Sequence, residues 1–135
     1  MTRFIKYPLV LLMAVLSLGS AAQISLETSN VESILYLSGG QKQPLVVGIG
    51  GAEGGNAWAS ERWKRTRDQF LEKGYAFLAI GYFGSRGTPD TLDRIAIEDV
   101  YNAIRTAATN GSVDSTRIAL VGGSRGADLA LLLAS

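Results

Sequence analysis

The chain has 135 residues, a net charge of +1 and 19% charged side chains, and it contains neither cysteine nor histidine. That length allows one domain, and the balanced charge gives no electrostatic footprint for nucleic acid or for an anionic membrane surface. Disulfides and thiolate metal sites are excluded, a zinc site lacks its usual ligands, and no cofactor is implied.

Taken from the amino terminus, Arg3 and Lys6 precede an apolar run over residues 9–18, and Ser20-Ala21-Ala22 follows with small side chains. This pattern predicts a signal peptide over residues 1–22, cleaved before Gln23, and hence an exported protein, periplasmic or secreted. The run is shorter than the ~20 residues of a spanning helix, so no stable membrane span is expected after cleavage.

Residues 23–43 read as a strand and turn segment, with the strand over 31–37 and the turn at 38–42. Residues 45–49 form a second strand, apolar on both faces. A glycine-rich loop, Gly50-Gly51-Ala52-Glu53-Gly54-Gly55, follows it. Residues 58–73 carry apolar side chains sparsely and predict a largely wet helix closed by Gly74. The basic cluster at 62–67 is its solvated face, with an anion-binding patch as the alternative. A third buried strand is expected over 75–80 and a long helix over 92–108, whose apolar residues recur at Ile97, Val100, Tyr101, Ile104 and Ala108. Asn110-Gly111 ends that helix. The apolar run at 117–121 reads as a buried parallel strand, and strong helix formers fill 127–134. Strands alternating with helices of this length predict βαβ units and a mostly parallel sheet.

Between the last strand and the last helix stands Gly122-Gly123-Ser124-Arg125-Gly126. A G-x-S-x-G at a strand-to-helix turn matches the nucleophile elbow of α/β-hydrolases, where small residues let the chain bend and lift the serine hydroxyl out of the sheet. Ser124 is then the nucleophile and the Arg125 N–H an oxyanion donor. The bland alternative is a tight turn whose serine caps the next helix. For the loop at 50–55, a dinucleotide fingerprint fails because Glu53 stands where the last glycine belongs. A P-loop fails because Asn56-Ala57 replace its lysine and hydroxyl residue. What remains is the second wall of an oxyanion hole, with the N–H groups of Gly51 and Ala52 as donors, or a turn with no chemical role. Tyr82 and Phe83 lie at the carboxyl end of a strand, where open α/β sheets bind ligands, and are substrate-pocket candidates. Trp58 and Trp63 read first as packing residues.

From Pro44 to Ser135 the chain resembles the carboxyl-terminal hydrolase domain of the acyl-CoA thioesterase and bile acid-CoA:amino acid N-acyltransferase family, and more broadly the dienelactone hydrolases. The glycine loop carries this resemblance, together with Tyr82-Phe83-Gly84, Leu92-Asp93-Arg94-Ile95 and Ser124-Arg125-Gly126-Ala127-Asp128-Leu129-Ala130-Leu131-Leu132-Leu133-Ala134-Ser135. It implies the amino-terminal portion of an α/β-hydrolase three-layer sandwich over residues 44–135, acting on a small acyl ester or thioester. In that family an acid and a histidine follow the nucleophile in the chain. Neither is carried by this sequence, so the expectation is a serine acyl hydrolase, or an amino-terminal piece of one, inactive by itself. The alternatives are a non-catalytic exported binding module and a truncated reading frame without function.

Overall fold

The computed structural model describes residues 21–135, so the expected leader over 1–22 lies outside the described residues except for its last two positions. The elements run β1 (Ala22–Leu26), β2 (Glu32–Leu37), β3 (Gln43–Ile49), α1 (Glu61–Glu72), β4 (Ala76–Gly81), α2 (Ile97–Ala108), β5 (Val113–Gly122) and α3 (Arg125–Ala134). All five strands join one sheet in the order β1-β2-β4-β3-β5. β3, β4 and β5 are parallel, whereas β2 runs against both of its neighbours. The sheet is therefore mixed, with a single reversed strand.

The chain leaves β3 in two directions. It crosses by α1 to β4 on one side, then by α2 back past β3 to β5 on the other. Crossovers of one hand taken in opposite directions must put their helices on opposite faces, which produces three layers. Alternation along β3 serves both faces. Leu45, Val47 and Ile49 pack with Leu78, Ile80, Val100, Ala103, Ala107 and Leu129 under α2 and α3. Val46 packs with Phe77, Ala79, Trp58 and Phe70 under α1. The reversal at β3 also opens a crevice at the carboxyl ends of β3 and β5, which is where open α/β sheets bind ligands.

Several expectations change. β1 is not among the expected strands: it pairs with β2 from Ala22↔Leu37 to Leu26↔Ser33, and only Ile24 and Leu26 on its inward face are half-buried, against the core. The helix expected over 58–73 is preceded by a separate 3-10 turn, Ala57–Ala59. The helix over 92–108 is likewise divided. Leu92–Arg94 forms a 3-10 turn, Ile95 and Ala96 are extended, and α2 follows. Ile95 turns onto the core cluster, which accounts for the break.

Two corrections concern burial. The apolar run at 117–121 is not buried: Ile118 is 39% exposed, because β5 pairs only with β3 and no described strand covers its outer edge. Within the basic cluster at 62–67, Arg67 is buried. Its Nη1 donates to the Trp58 carbonyl at 2.5 Å, and its guanidinium stacks 4.2 Å above the Tyr36 ring. A planar cation can enter a core in this way when it stacks and donates. Burial raises the Tyr36 phenol above its ordinary value, against the opposing pull of the Arg67 cation.

Entry into β5 is set by a polar turn. The ladder jumps from Pro44↔Asp114 to Leu45↔Ile118, so residues 115–117 bulge out. Asp114 holds the bulge, accepting from the Thr116 hydroxyl and N–H at 2.6 and 2.9 Å and from Arg117 Nε at 2.7 Å. These donors favour the carboxylate and lower its pKa to about 2. A depressed carboxyl contributes stability that is present above the ordinary carboxylate range and fades as pH falls toward 2. NMR titration should accordingly place the Asp114 midpoint near 2. Between pH 5 and pH 2 the Asp114→Asn variant should lose less melting temperature than the parent.

Candidate active site

Ser124 joins β5 to α3 with φ 54° and ψ −123°, a conformation that non-glycine residues adopt only under tertiary constraint. The constraint is backbone crowding. A Cβ on Gly122 would fall 2.2 Å from the Gly126 carbonyl oxygen, and one on Gly126 would fall 2.4 and 2.5 Å from the carbonyl oxygens of Ile49 and Gly50. Only glycine lets the first turn of α3 press against the carboxyl end of β3. The turn is closed by Gly126 N–H to the Gly123 carbonyl and Ala127 N–H to the Ser124 carbonyl, both at 2.9 Å. The Ser124 side chain makes no capping hydrogen bond to α3. The helix-cap alternative therefore fails, and the exposed hydroxyl is left free of its own helix.

The loop after β3 forms the facing wall. A Cβ on Gly51 would lie 3.1 Å from the Gly123 carbonyl oxygen and 3.4 Å from Ser124 Cβ, so the two glycine-flanked segments are in contact. Among the described residues, none of the turn and loop hydrogen bonds is donated by the N–H of Gly51, Ala52 or Arg125. As first residue of α3, Arg125 also has no helical carbonyl for its N–H, and the helix dipole adds to the positive potential there. Its guanidinium points to Asp128, 3.6 Å away, in an exposed pair. Of the sequence-expected donors, Arg125 adjoins Ser124 in the chain and Gly51 packs against the elbow.

Tyr82 lines a cavity of about 380 Å³ with Arg125 and Asp128, on the α3 side of the elbow, and Phe83 packs beside it. Tyr82 is buried and its hydroxyl donates to the Gly50 carbonyl at 2.7 Å, tying the loop after β4 to the loop after β3. Burial first, then the negative charges of Glu53 and Asp128, raise its pKa, so the phenol keeps the proton it donates. Phe83 packs edge-on to Tyr82 and covers Gly54, while its carbonyl accepts from Gly55 N–H at 2.8 Å. Both residues buttress the loop. Neither lines the cleft of about 240 Å³ that holds Ser124. Trp58, Trp63, Gly51 and Glu53 line it instead. The two tryptophans, read first as packing residues, do both: Trp58 stacks at 4.7 Å on Trp63 and 5.3 Å from Phe77, and the pair forms one wall of the cleft. A signal for this lay in Gly48, where a Cβ would meet Trp58 and Phe77 at 2.6 Å, so that the glycine admits the indole beneath the loop.

Residues 35–135 match the model of the BD-FAE family. Acyl-coenzyme A thioesterase 6 of Mus musculus is 26% identical over 114 residues, covering 84% of this chain and 26% of that protein. Similar solved structures include the alpha/beta hydrolase GrgF from Penicillium sp. sh18 (TM-score 0.64, 17% identity, 85% of this chain and 41% of that one). An esterase of Pyrococcus furiosus (0.58, 20%, 84% and 43%) and an acetyl xylan esterase from Paenibacillus sp. R4 (0.56, 21%, 85% and 48%) share the architecture. The fold is that of an α/β hydrolase in its amino-terminal portion. The chain spans about a quarter of the length of the curated relative and under half of each of these structures.

The Tyr82 hydroxyl gives a direct test of the buttress. Tyr82→Phe leaves the Gly50 carbonyl without its buried donor and should cost about 1–2 kcal/mol in urea unfolding. Amide exchange should quicken at Gly51 and Ala52 while the core of β4 stays protected.

Proposed function

The chain belongs to the BD-FAE family, and from that premise we propose that it is a serine acyl hydrolase, or the nucleophile-bearing portion of one, with Ser124 attacking the carbonyl of an ester or thioester. The observation that carries this reading is the strained, uncapped Ser124 set against the Gly51 loop at the sheet's crevice. A strained serine whose hydroxyl is not used by its own helix gains nothing structurally; one aimed at main-chain donors has a chemical use.

In this reading Ser124 Oγ forms the bond to the acyl carbon while the carbonyl π electrons move onto oxygen. The resulting oxyanion receives the N–H of Arg125 and that of Gly51 or Ala52. The serine proton must leave to a base, and the alcohol or thiol must take a proton as it departs. The 135 residues contain no histidine, so an imidazole has to come from elsewhere. The family resemblance supports an acid and a histidine beyond the nucleophile in chain order. With neither present, the donors alone leave only a residual acceleration of about 10³–10⁴ over water. The exported location is part of the proposal, supported by Arg3, Lys6 and the apolar run at 9–18. No described helix is long and apolar enough to cross a membrane.

With p-nitrophenyl acetate the 135-residue chain should show no Ser124-dependent turnover above this residual level. A fluorophosphonate in imidazole buffer, which supplies the base, should add to Ser124 in preference to the other serines, read by peptide mass spectrometry; Ser124→Ala should abolish that adduct. Label spread evenly over the serines would overturn the nucleophile assignment. For export, the mature amino terminus in an expressing bacterium should be Gln23.

A further inference from the structure

The proposed function leaves Glu53 without a role, although it directly follows two of the proposed oxyanion donors. Its carboxylate lies over the loop: a Cβ on Gly51 would sit 2.8 Å from Glu53 Oε2 and 3.4 Å from Ser124 Cβ, so a single methyl would touch both. Among the described residues no hydrogen bond and no ion pair engages this carboxylate. Of the residues lining the Ser124 cleft, Glu53 alone carries a formal charge. The Trp58–Trp63 pair lines the same cleft, and Trp63 already accepts a cation on its ring, the guanidinium of Arg62 lying 6.0 Å from the centroid. On the other rim the Arg125 charge is turned toward Asp128.

One unpaired carboxylate sharing a cleft with the half-buried indole of Trp63 fits an organic ammonium: ion pairing with Glu53, supported by cation–π attraction to Trp63. A negative substituent at the same place would meet the like charge of Glu53, and among the described residues no cation lines the cleft beside it. The arrangement also bears on the reaction. A bare carboxylate beside the oxyanion donors opposes the charge that develops there, and a substrate cation seated against Glu53 removes that opposition.

We propose that the Ser124 cleft selects esters or thioesters bearing an ammonium group near the scissile carbonyl, with Glu53 as counter-ion and Trp63, backed by Trp58, as the aromatic neighbour. This deepens the hydrolase reading and rests on it for the word substrate, but the binding preference itself needs no catalysis. Polyanionic leaving groups are disfavoured by the same carboxylate.

The chain's two tryptophans both line the cleft, so intrinsic fluorescence reports on this site alone. Three probes separate charge from shape: acetylcholine, its neutral carbon isostere 3,3-dimethylbutyl acetate, and the anion of monomethyl succinate. Acetylcholine should change the emission saturably with a Kd about tenfold below that of the neutral ester, and the anion should bind more weakly than either. In 0.5 M NaCl the cation's advantage should shrink on the unaltered protein. Glu53→Gln should close the gap, while the melting temperature reports that the exposed loop variant stays folded. Ser124→Ala should leave the order of the three probes unchanged, which separates this test from that of the nucleophile. The proposal is overturned if the neutral ester binds as well as acetylcholine, if the gap survives Glu53→Gln, or if no probe gives a saturable change.

Discussion

Everything at the candidate site depends on one backbone-on-backbone contact. The first turn of α3 closes against the last residues of β3 so tightly that a single methyl at Gly126 would overlap two carbonyl oxygens. This contact fixes the start of α3, and the start of α3 fixes the direction of Ser124. It also sets Gly51 against the elbow. Side-chain chemistry then has little left to arrange, because main-chain groups form both walls of the proposed oxyanion hole. Backbone amides suit such a hole because they are neutral, oriented by the fold, and need no reorganisation when charge appears beside them.

The sheet order explains why these two segments meet. β3 is flanked by β4 and β5, and the chain reaches them by helices on opposite faces. The loop leaving β3 therefore bends toward α1 while the loop leaving β5 bends toward α3, and the gap between them is the crevice. Two layers of aromatic side chains stabilise the loop from opposite sides. Trp58 lies beneath it in the α1 layer, in space left free by Gly48, and Tyr82 holds it from the α2 layer through the Gly50 carbonyl. The loop is glycine-rich and would be mobile in isolation. Here it is pinned at Gly50, Gly54 and Gly55 by contacts with the loop after β4.

Much of this was legible in the residues. The apolar runs of β3 and β4, the elbow and the glycine loop each carry a local signature that the tertiary structure keeps. Other features depended on partners that local sequence does not name. β1 half-buries only Ile24 and Leu26 and depends on its pairing with β2. The run at 117–121 has the composition of a central strand and the exposure of an edge, since burial belongs to the neighbour rather than to the strand. Arg67 is indistinguishable in sequence from the exposed cations around it, and only the Tyr36 ring and the Trp58 carbonyl give it a buried place. The places of Tyr82 and the tryptophans have the same origin. Tyr82 directly follows β4 while Trp58 and Trp63 belong to the 3-10 turn and α1, and which side of the β3 loop each occupies follows from the crossover direction.

Glu53 is the point at which local chemistry and proposed function pull against each other. Gly51, a proposed neutral donor, packs against the elbow, and the one formal charge among the cleft's lining residues, that of Glu53, stands beside it. Glu53 is exposed, so salt screens this charge, and its effect is strongest at low ionic strength. If the carboxylate had only a structural part, a hydrogen-bond donor holding it would be expected, and none is found among the described residues. Its unpaired state is costly for an anionic or neutral substrate and productive for a cationic one, because the missing counter-charge then arrives with the molecule to be cleaved. The same feature that weakens the oxyanion hole in the empty protein would make its strength depend on what is bound. Selectivity of this kind is built from a repulsive element as much as from an attractive one.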